Sequence, residues 1–420
     1  MNALDHRFVD RLLIVFFALF VFSATFSIAA SQVMLGLSTA VFLWHCFRYR
    51  TVPFSRSLRW FYATTAVWIG WLSLTCLSGD TPLRSLLLSR EEWLFVALVI
   101  AMYLAAQTRT RWWLMAAFAA GVALVSIYGL IQYFTGVNWF TRHAVYPAPG
   151  FGWRVLGMFT HYLTFGNFFA VAACALVAFT TGSRSRMTGA LRLLFWSASI
   201  LAVLITLLTF SRGPIAAMVV TLLLLAVLLG RRYGRTVLIA LAILAIGLLA
   251  IPGVANRYVG ELEREWRGDY EGSRLFIWRH SLEVIGERPL LGVGMGNFGA
   301  HYERYLRADI EDSRKLTHAH NDFLNVAAIA GIPGAVAYAC MWLVAVGYFW
   351  LGWRRSRIDD PQAVWYLMAL AGSVCFLGTS MYEATWVDEE VRQLLMVLWG
   401  FGFSGWYRLD NSGNPAGLPV

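Results

Sequence analysis

The stretch Leu316–Gly334, LTHAHNDFLNVAAIAGIPG, decides how this chain is read. Two histidines stand two residues apart, an Asn-Asp pair follows, and then the polar residues stop. From Asp322 an apolar run continues to residue 351, longer than the roughly 20 residues with which a helix crosses a bilayer. The most titratable cluster in the chain therefore stands at the mouth of an apolar segment.

Working outward, the same pattern recurs. The 420 residues are 59% hydrophobic and only 14% charged, with a mean hydropathy of +0.59, where a soluble domain carries about 25% charged residues. Backbone groups in lipid must be satisfied within their own segment, so runs of this length predict helices and not barrel strands. Twelve spans are expected, near 12–31, 33–47, 60–78, 92–106, 112–135, 161–180, 191–209, 213–230, 236–252, 322–351, 361–381 and 390–407. Alternate connections are rich in arginine, among them RYRTVPFSRSLR, QTRTRWW, GSRSRMTGALR, GRRYGR and WRRSRIDDPQ. Cytoplasmic loops collect such residues, so both termini are expected in the cytoplasm. Orientation accounts for much of the net charge of +10, in which Lys315 is the only lysine, and no nucleic-acid partner is expected. The five cysteines fall in apolar runs and read as small buried hydrophobes, with no disulfide or metal framework.

The expected organisation is nine spans over residues 1–252, a periplasmic loop with helices over 253–321, three spans over 322–408, and a short cytoplasmic tail over 409–420. The stretch 81–92 reads as a short interfacial helix, and the tail as disordered. In the large loop, RYVGELEREWR and SRLFIWRHSLEVIGERP have helical periodicity. Gly292, Gly294 and Gly296 form a Gly-x-Gly-x-Gly that follows no strand. That spacing reads as a tight connection or a close backbone approach, not as a dinucleotide site.

Arg212 lies between two apolar runs joined by almost no loop. Two readings stand side by side. Its stem can snorkel to lipid headgroups; or, with Gly213 and Pro214 opening the next helix, it can form an anion site from a guanidinium fork and a helix N-terminus. For His318 and His320 three readings stand: a metal site with Asp322, a cap on the following helix, or a general base at the membrane surface. Histidine has the side chain whose ordinary pKa, about 6.5, suits proton removal near neutrality.

Three features together resemble the family that contains bacterial O-antigen ligases and polymerases. His320-Asn321, nine residues, then Gly331-Ile332-Pro333-Gly334 is similar to its His-Asn and Gly-x-x-Gly signature. Arg274 to Trp278, followed by Pro289-Leu290-Leu291-Gly292-Val293-Gly294, resembles its Arg-x-x-x-Trp helix and Pro-Leu-x-Gly-x-Gly turn. Ser211-Arg212-Gly213 resembles its arginine between two spans. The resemblance implies an all-helical, membrane glycosyltransferase (GT-C-like) fold. It implies transfer of a glycan from undecaprenyl pyrophosphate to a sugar hydroxyl of lipid A–core oligosaccharide at the periplasmic face of the bacterial inner membrane, with no metal ion and no cofactor. His320 would then be the base, with His318 orienting it or binding the acceptor. Arg212, Arg274 and Arg288 would hold the pyrophosphate, and Asn321 and Asp322 would support His320. Inversion by a single displacement is expected. Retention would usually need a carboxylate nucleophile, for which Asp322 and Glu287 are the candidates. Trp139, Tyr146 and Trp153 are candidate sugar-stacking residues, or else interface anchors. The alternatives are an O-antigen polymerase, a protein O-oligosaccharyltransferase, or a transporter of lipid-linked glycans. A transport path normally carries ionisable residues within spans, and only His45 and His161 stand out there.

Overall fold

The computed structural model describes residues 3–140, 144–148, 151–230, 273–305, 316–357 and 360–411, with scattered helical residues between 234 and 263. Fourteen helices are described: α1 (Ala3–Ser23), α2 (Ile28–Tyr49), α3 (Arg59–Ser78), α4 (Pro82–Ser89), α5 (Phe95–Ala105), α6 (Thr108–Thr135), α7 (Tyr162–Gly182), α8 (Gly189–Leu208), α9 (Arg212–Leu228), α10 (Arg274–Glu287), α11 (Phe298–Tyr302), α12 (Asp322–Arg355), α13 (Ala363–Ser380) and α14 (Glu389–Asn411). Among the described residues there is no strand, only an isolated bridge between Pro147 and Trp153. Seven described helices are long and apolar enough to cross a membrane, and α9 is a shorter apolar helix. The chain is a polytopic helical membrane protein.

The bundle has its centre at α14, which packs along α5 and against α7 and α13. Trp399 of α14 is fully buried among Phe61, Trp342 and Phe403. Faces turned away from the bundle expose large apolar side chains such as Phe47, Leu193, Val227 and Leu343. A soluble protein rarely shows so much apolar surface; lipid is its natural solvent.

Several expected boundaries move. The break near residue 32 lies instead at 24–27, between α1 and α2. There Thr25 Oγ1 donates to Phe22 O and Ser27 caps α2 by accepting from Ala30 N. Two short polar side chains make this turn without interrupting hydropathy, so an apolar run conceals it. The span expected at 92–106 is an α-helix of only 11 residues preceded by a 3-10 turn over Arg90–Leu94. Apart from those scattered residues, the span expected at 236–252 and the helix of RYVGELEREWR lie outside the described residues, as does the tail beyond residue 411.

Polar connections gather at two ends. At one, Ser55 and Ser57 bind Asp410, Arg111 donates to Gln362 at 2.8 Å, and Arg408 donates to Ala106 O. These belong to the arginine-rich connections. At the other, Asp80, His161, Arg212, Arg274, His320 and Glu383 stand at helix ends or in the short links between them.

The helix α12 is broken near its start. Gly331 has φ 72 and ψ 174, and Pro333 follows. A proline removes one helical N–H and clashes with the carbonyl a turn back. The carbonyls this leaves unpaired need donors, because a bare carbonyl in lipid is costly. The turn after α10 and Trp71 of α3 supply them. Val293 N donates to Ala328 O at 2.9 Å, Gly294 N to Ile329 O at 3.0 Å, and Trp71 Nε1 to Ala330 O at 2.8 Å, while Ile332 N returns a bond to Pro289 O at 2.8 Å. A Cβ at Gly331 would lie 2.1 Å from Leu290 O, so only glycine permits the approach. The two glycine motifs therefore form one joint, which docks the end of α10 and its turn onto α12.

Candidate active site

Four helices begin around the connection 381–388. His161 caps α7, Ser211 precedes α9, Ser273 caps α10 and Asn321 caps α12. Contacts bind all four to that connection or to each other. Thr164 Oγ1 donates to Asp388 at 3.3 Å. A Cβ at Gly213 would meet Tyr382, and one at Gly166 would meet Pro214. Trp278 of α10 faces Tyr382 with ring centroids 6.1 Å apart. Helix N-termini carry partial positive charge and unpaired N–H groups, so their convergence favours an anion.

Glu383 is the centre of this arrangement and is nine-tenths buried. Its Oε2 lies 2.6 Å from His320 Nδ1, and its Oε1 accepts from Arg274 Nη2. Burial by itself would raise this carboxyl; the His320 hydrogen bond and the charge of Arg274 outweigh that and hold it below the usual carboxylate range. An ionised carboxylate accepts, so His320 carries its proton on Nδ1 and presents the lone pair of Nε2.

His320 has φ 49, in the left-handed region. Among residues other than glycine, histidine is one of the few that adopt it with any frequency. Its neighbours hold it there. Ala319 N donates to Asn325 Oδ1 at 3.3 Å, His320 N to His318 Nδ1 at 3.4 Å, and Trp278 Nε1 to His320 O at 3.4 Å.

The other expected site residues separate by role. Asn321, and neither histidine, caps α12: its Oδ1 accepts from Leu324 N and its Nδ2 donates to Met381 O, both at 3.1 Å. Asp322 is fully buried and accepts from Ser380 Oγ at 2.6 Å and from Trp386 N at 3.0 Å. It fixes the two ends of the link that carries Glu383. His318 packs edge-on to His320, centroids 4.3 Å apart. Burial, reinforced by His320, lowers its pKa to about 4, so it stays neutral. His318, His320 and Asp322 thus turn to different partners, and the three-ligand metal set does not assemble.

Arg212 opens α9 and Arg274 opens α10, both at this end. Arg288 does not join them. It lies beyond the far end of α10, which is about 20 Å long at 1.5 Å per residue, and pairs with Asp80 at 2.7 Å. Glu287 is also there, bound to His301, Tyr305 and Arg304. Of the aromatic candidates, Trp153 folds over Gly136 and Trp139 packs on Tyr128. Tyr146 packs on Tyr162, the residue after His161. His161 is not inside a span but caps one, and His45 pairs with Asp10 at 3.2 Å.

Glu383 was not legible in the sequence as a site residue. YEATWVDEE reads as one more acidic connection, and in it Glu383 competes for attention with Asp388, Glu389 and Glu390. Its one signal is position: a glutamate immediately after a span, on the same side as the histidine pair.

These features define a class, a polytopic helical membrane protein with a buried His–Glu–Arg centre where several helices begin. Residues 197–339, which include Arg212, Arg274 and His320 but not Glu383, match the family described as O-antigen ligase. A segment of 168 residues is 26% identical to an O-antigen ligase of Pseudomonas aeruginosa, covering 40% of this chain and 37% of that protein. Over residues 197–339 the chain is similar to the O-antigen ligase and polymerase superfamily. Its alignment spans little more than a third of that relative's length.

Proposed function

We propose that the protein is a glycosyltransferase of the ligase type. It transfers a glycan from undecaprenyl pyrophosphate to a sugar hydroxyl of lipid A–core oligosaccharide, at the periplasmic face of the inner membrane. The observation that carries this reading is the 2.6 Å contact between His320 Nδ1 and Glu383, which leaves Nε2 of His320 ready to accept a proton.

The acceptor hydroxyl is a weak nucleophile. His320 takes its proton as the new C–O bond forms, a contribution of about 10²–10⁴-fold for general bases. Glu383 keeps the ring in the working tautomer and stabilises the imidazolium that results. The leaving pyrophosphate needs charge neutralisation more than a proton. Arg212, Arg274 and the helix N-termini supply it, and guanidinium groups do so without changing protonation state. The proposed fold type is that of membrane glycosyltransferases (GT-C-like), acting without metal or cofactor.

A single inverting displacement suits the carboxylates. Asp322 is enclosed by Ser380 and Trp386, Glu287 is bound at the far end of α10, and Glu383 is held by His320 and Arg274. Each already has its partners, where a nucleophile would need an oxygen free for the anomeric carbon.

The test is transfer by purified protein in detergent, with EDTA, from undecaprenyl-pyrophosphate glycan to lipid A–core. Product with the inverted anomeric configuration, lost in His320→Ala, is the expected result. Extension of the lipid-linked glycan in its place would make the protein a polymerase. Full activity of His320→Ala would end the general-base assignment.

A further inference from the structure

His161 has had no part in the chemistry so far. As the N-cap of α7, its Nδ1 accepts from Leu163 N at 3.2 Å. A ring nitrogen that accepts bears no proton, so the neutral ring carries its hydrogen on Nε2. Burial holds the ring's pKa down; Arg154 and His320 push the same way and Glu383 opposes them. His320 and Glu383 form the centre of the candidate active site, and the half-buried ring stands close enough to be influenced by both.

The start of α7 is fastened there. Thr164 bonds Asp388 on the connection that carries Glu383, and Gly166 lies against Pro214, two residues after Arg212. Tyr162 packs on the His161 ring at 4.2 Å, and the Arg154 guanidinium lies 4.7 Å from the Tyr162 ring centre. On the same face of α7, one turn below Thr164, Asn167 is fully buried with neither amide atom bonded.

We propose that His161 is a substrate-binding residue, donating from Nε2 to a phosphoryl oxygen of the donor's pyrophosphate, with Arg154 adding charge on the same side. The inference rests on the donor class assigned above and extends it. In the neutral site, His320 offers a lone pair and His161 offers a hydrogen, and their partners on Nδ1 set that division.

The test uses the full chain in detergent and undecaprenyl pyrophosphate without glycan as the probe, followed by tryptophan fluorescence. His161→Asn keeps a capping oxygen and puts a shorter amide in place of the ring, whose N–H falls short of the Nε2 position. It should keep its melting temperature, bind the probe about tenfold or more weakly, as expected for a lost bond to a charged group, and raise KM for the glycan donor with little change in kcat. Arg154→Gln, away from the cap, should weaken the probe in the same way and serves if His161→Asn fails to fold. Binding by either folded variant equal to wild type would reduce His161 to a helix cap. No binding by wild type would overturn the donor assignment, and this inference with it.

Discussion

Glu383 holds His320 and Arg274 at once, one oxygen to each. The proposed base and a proposed pyrophosphate-binding arginine are thereby set by a single buried side chain, from a connection 63 residues beyond the histidine.

Glu383→Gln should therefore lower kcat about 10²-fold or more, within the range that positioned base catalysis contributes. Gln has an amide group where His320 needs an acceptor, and it brings no charge to stabilise an imidazolium. Because the two residues act as a unit, the double variant with His320→Ala should be no slower than His320→Ala alone. Steady-state transfer rates decide this, and additive losses would refute the coupling.

Arg274→Ala and Arg212→Ala should each weaken donor binding at least tenfold, the scale of a charge-assisted hydrogen bond. Arg288→Ala should change it by no more than about threefold, because its partner is Asp80 at the other end of α10. Direct binding of undecaprenyl pyrophosphate measures all three. A large loss in Arg288→Ala would mean that α10 shifts when substrate binds.

Gly331→Ala tests the joint between the glycine motifs. The added Cβ meets a carbonyl at 2.1 Å in a left-handed backbone, and such a site costs about 2 kcal/mol or more. A clear drop in melting temperature is expected, with none for Gly347→Ala, where a Cβ meets nothing within 4 Å. Equal melting of both variants would show that the joint contributes little.

Acid should loosen the site before it reaches the rest of the bundle. The folded state holds His318 neutral, with a pKa of about 4 against an ordinary 6.5. Between those values the unfolded chain binds more protons, so stability falls as pH drops through this window. Glu383, depressed below its ordinary value, adds a loss in the same direction at lower pH. Thermal unfolding in detergent at pH 7 and pH 5 should show the decline, and His318→Gln should reduce it. An unchanged decline in that variant would place the sensitivity elsewhere.

The sequence by itself determined what depends on local composition and covalent spacing. Hydropathy set the membrane class and most helices, since each span satisfies its own backbone. The His320-Asn321 and Gly331-x-x-Gly334 pattern was legible because it lies within one helix start, and Arg212 because a charge between two spans is rare. The tertiary structure alone decided which charges meet. It brought Glu383 between His320 and Arg274, sent Arg288 to Asp80, assigned the cap to Asn321, and placed His161 at a helix end. It also joined the turn after α10 to the break in α12. Each of these depends on how separate helices pack. Packing is fixed by contacts between residues tens to hundreds of positions apart, which no window of sequence contains.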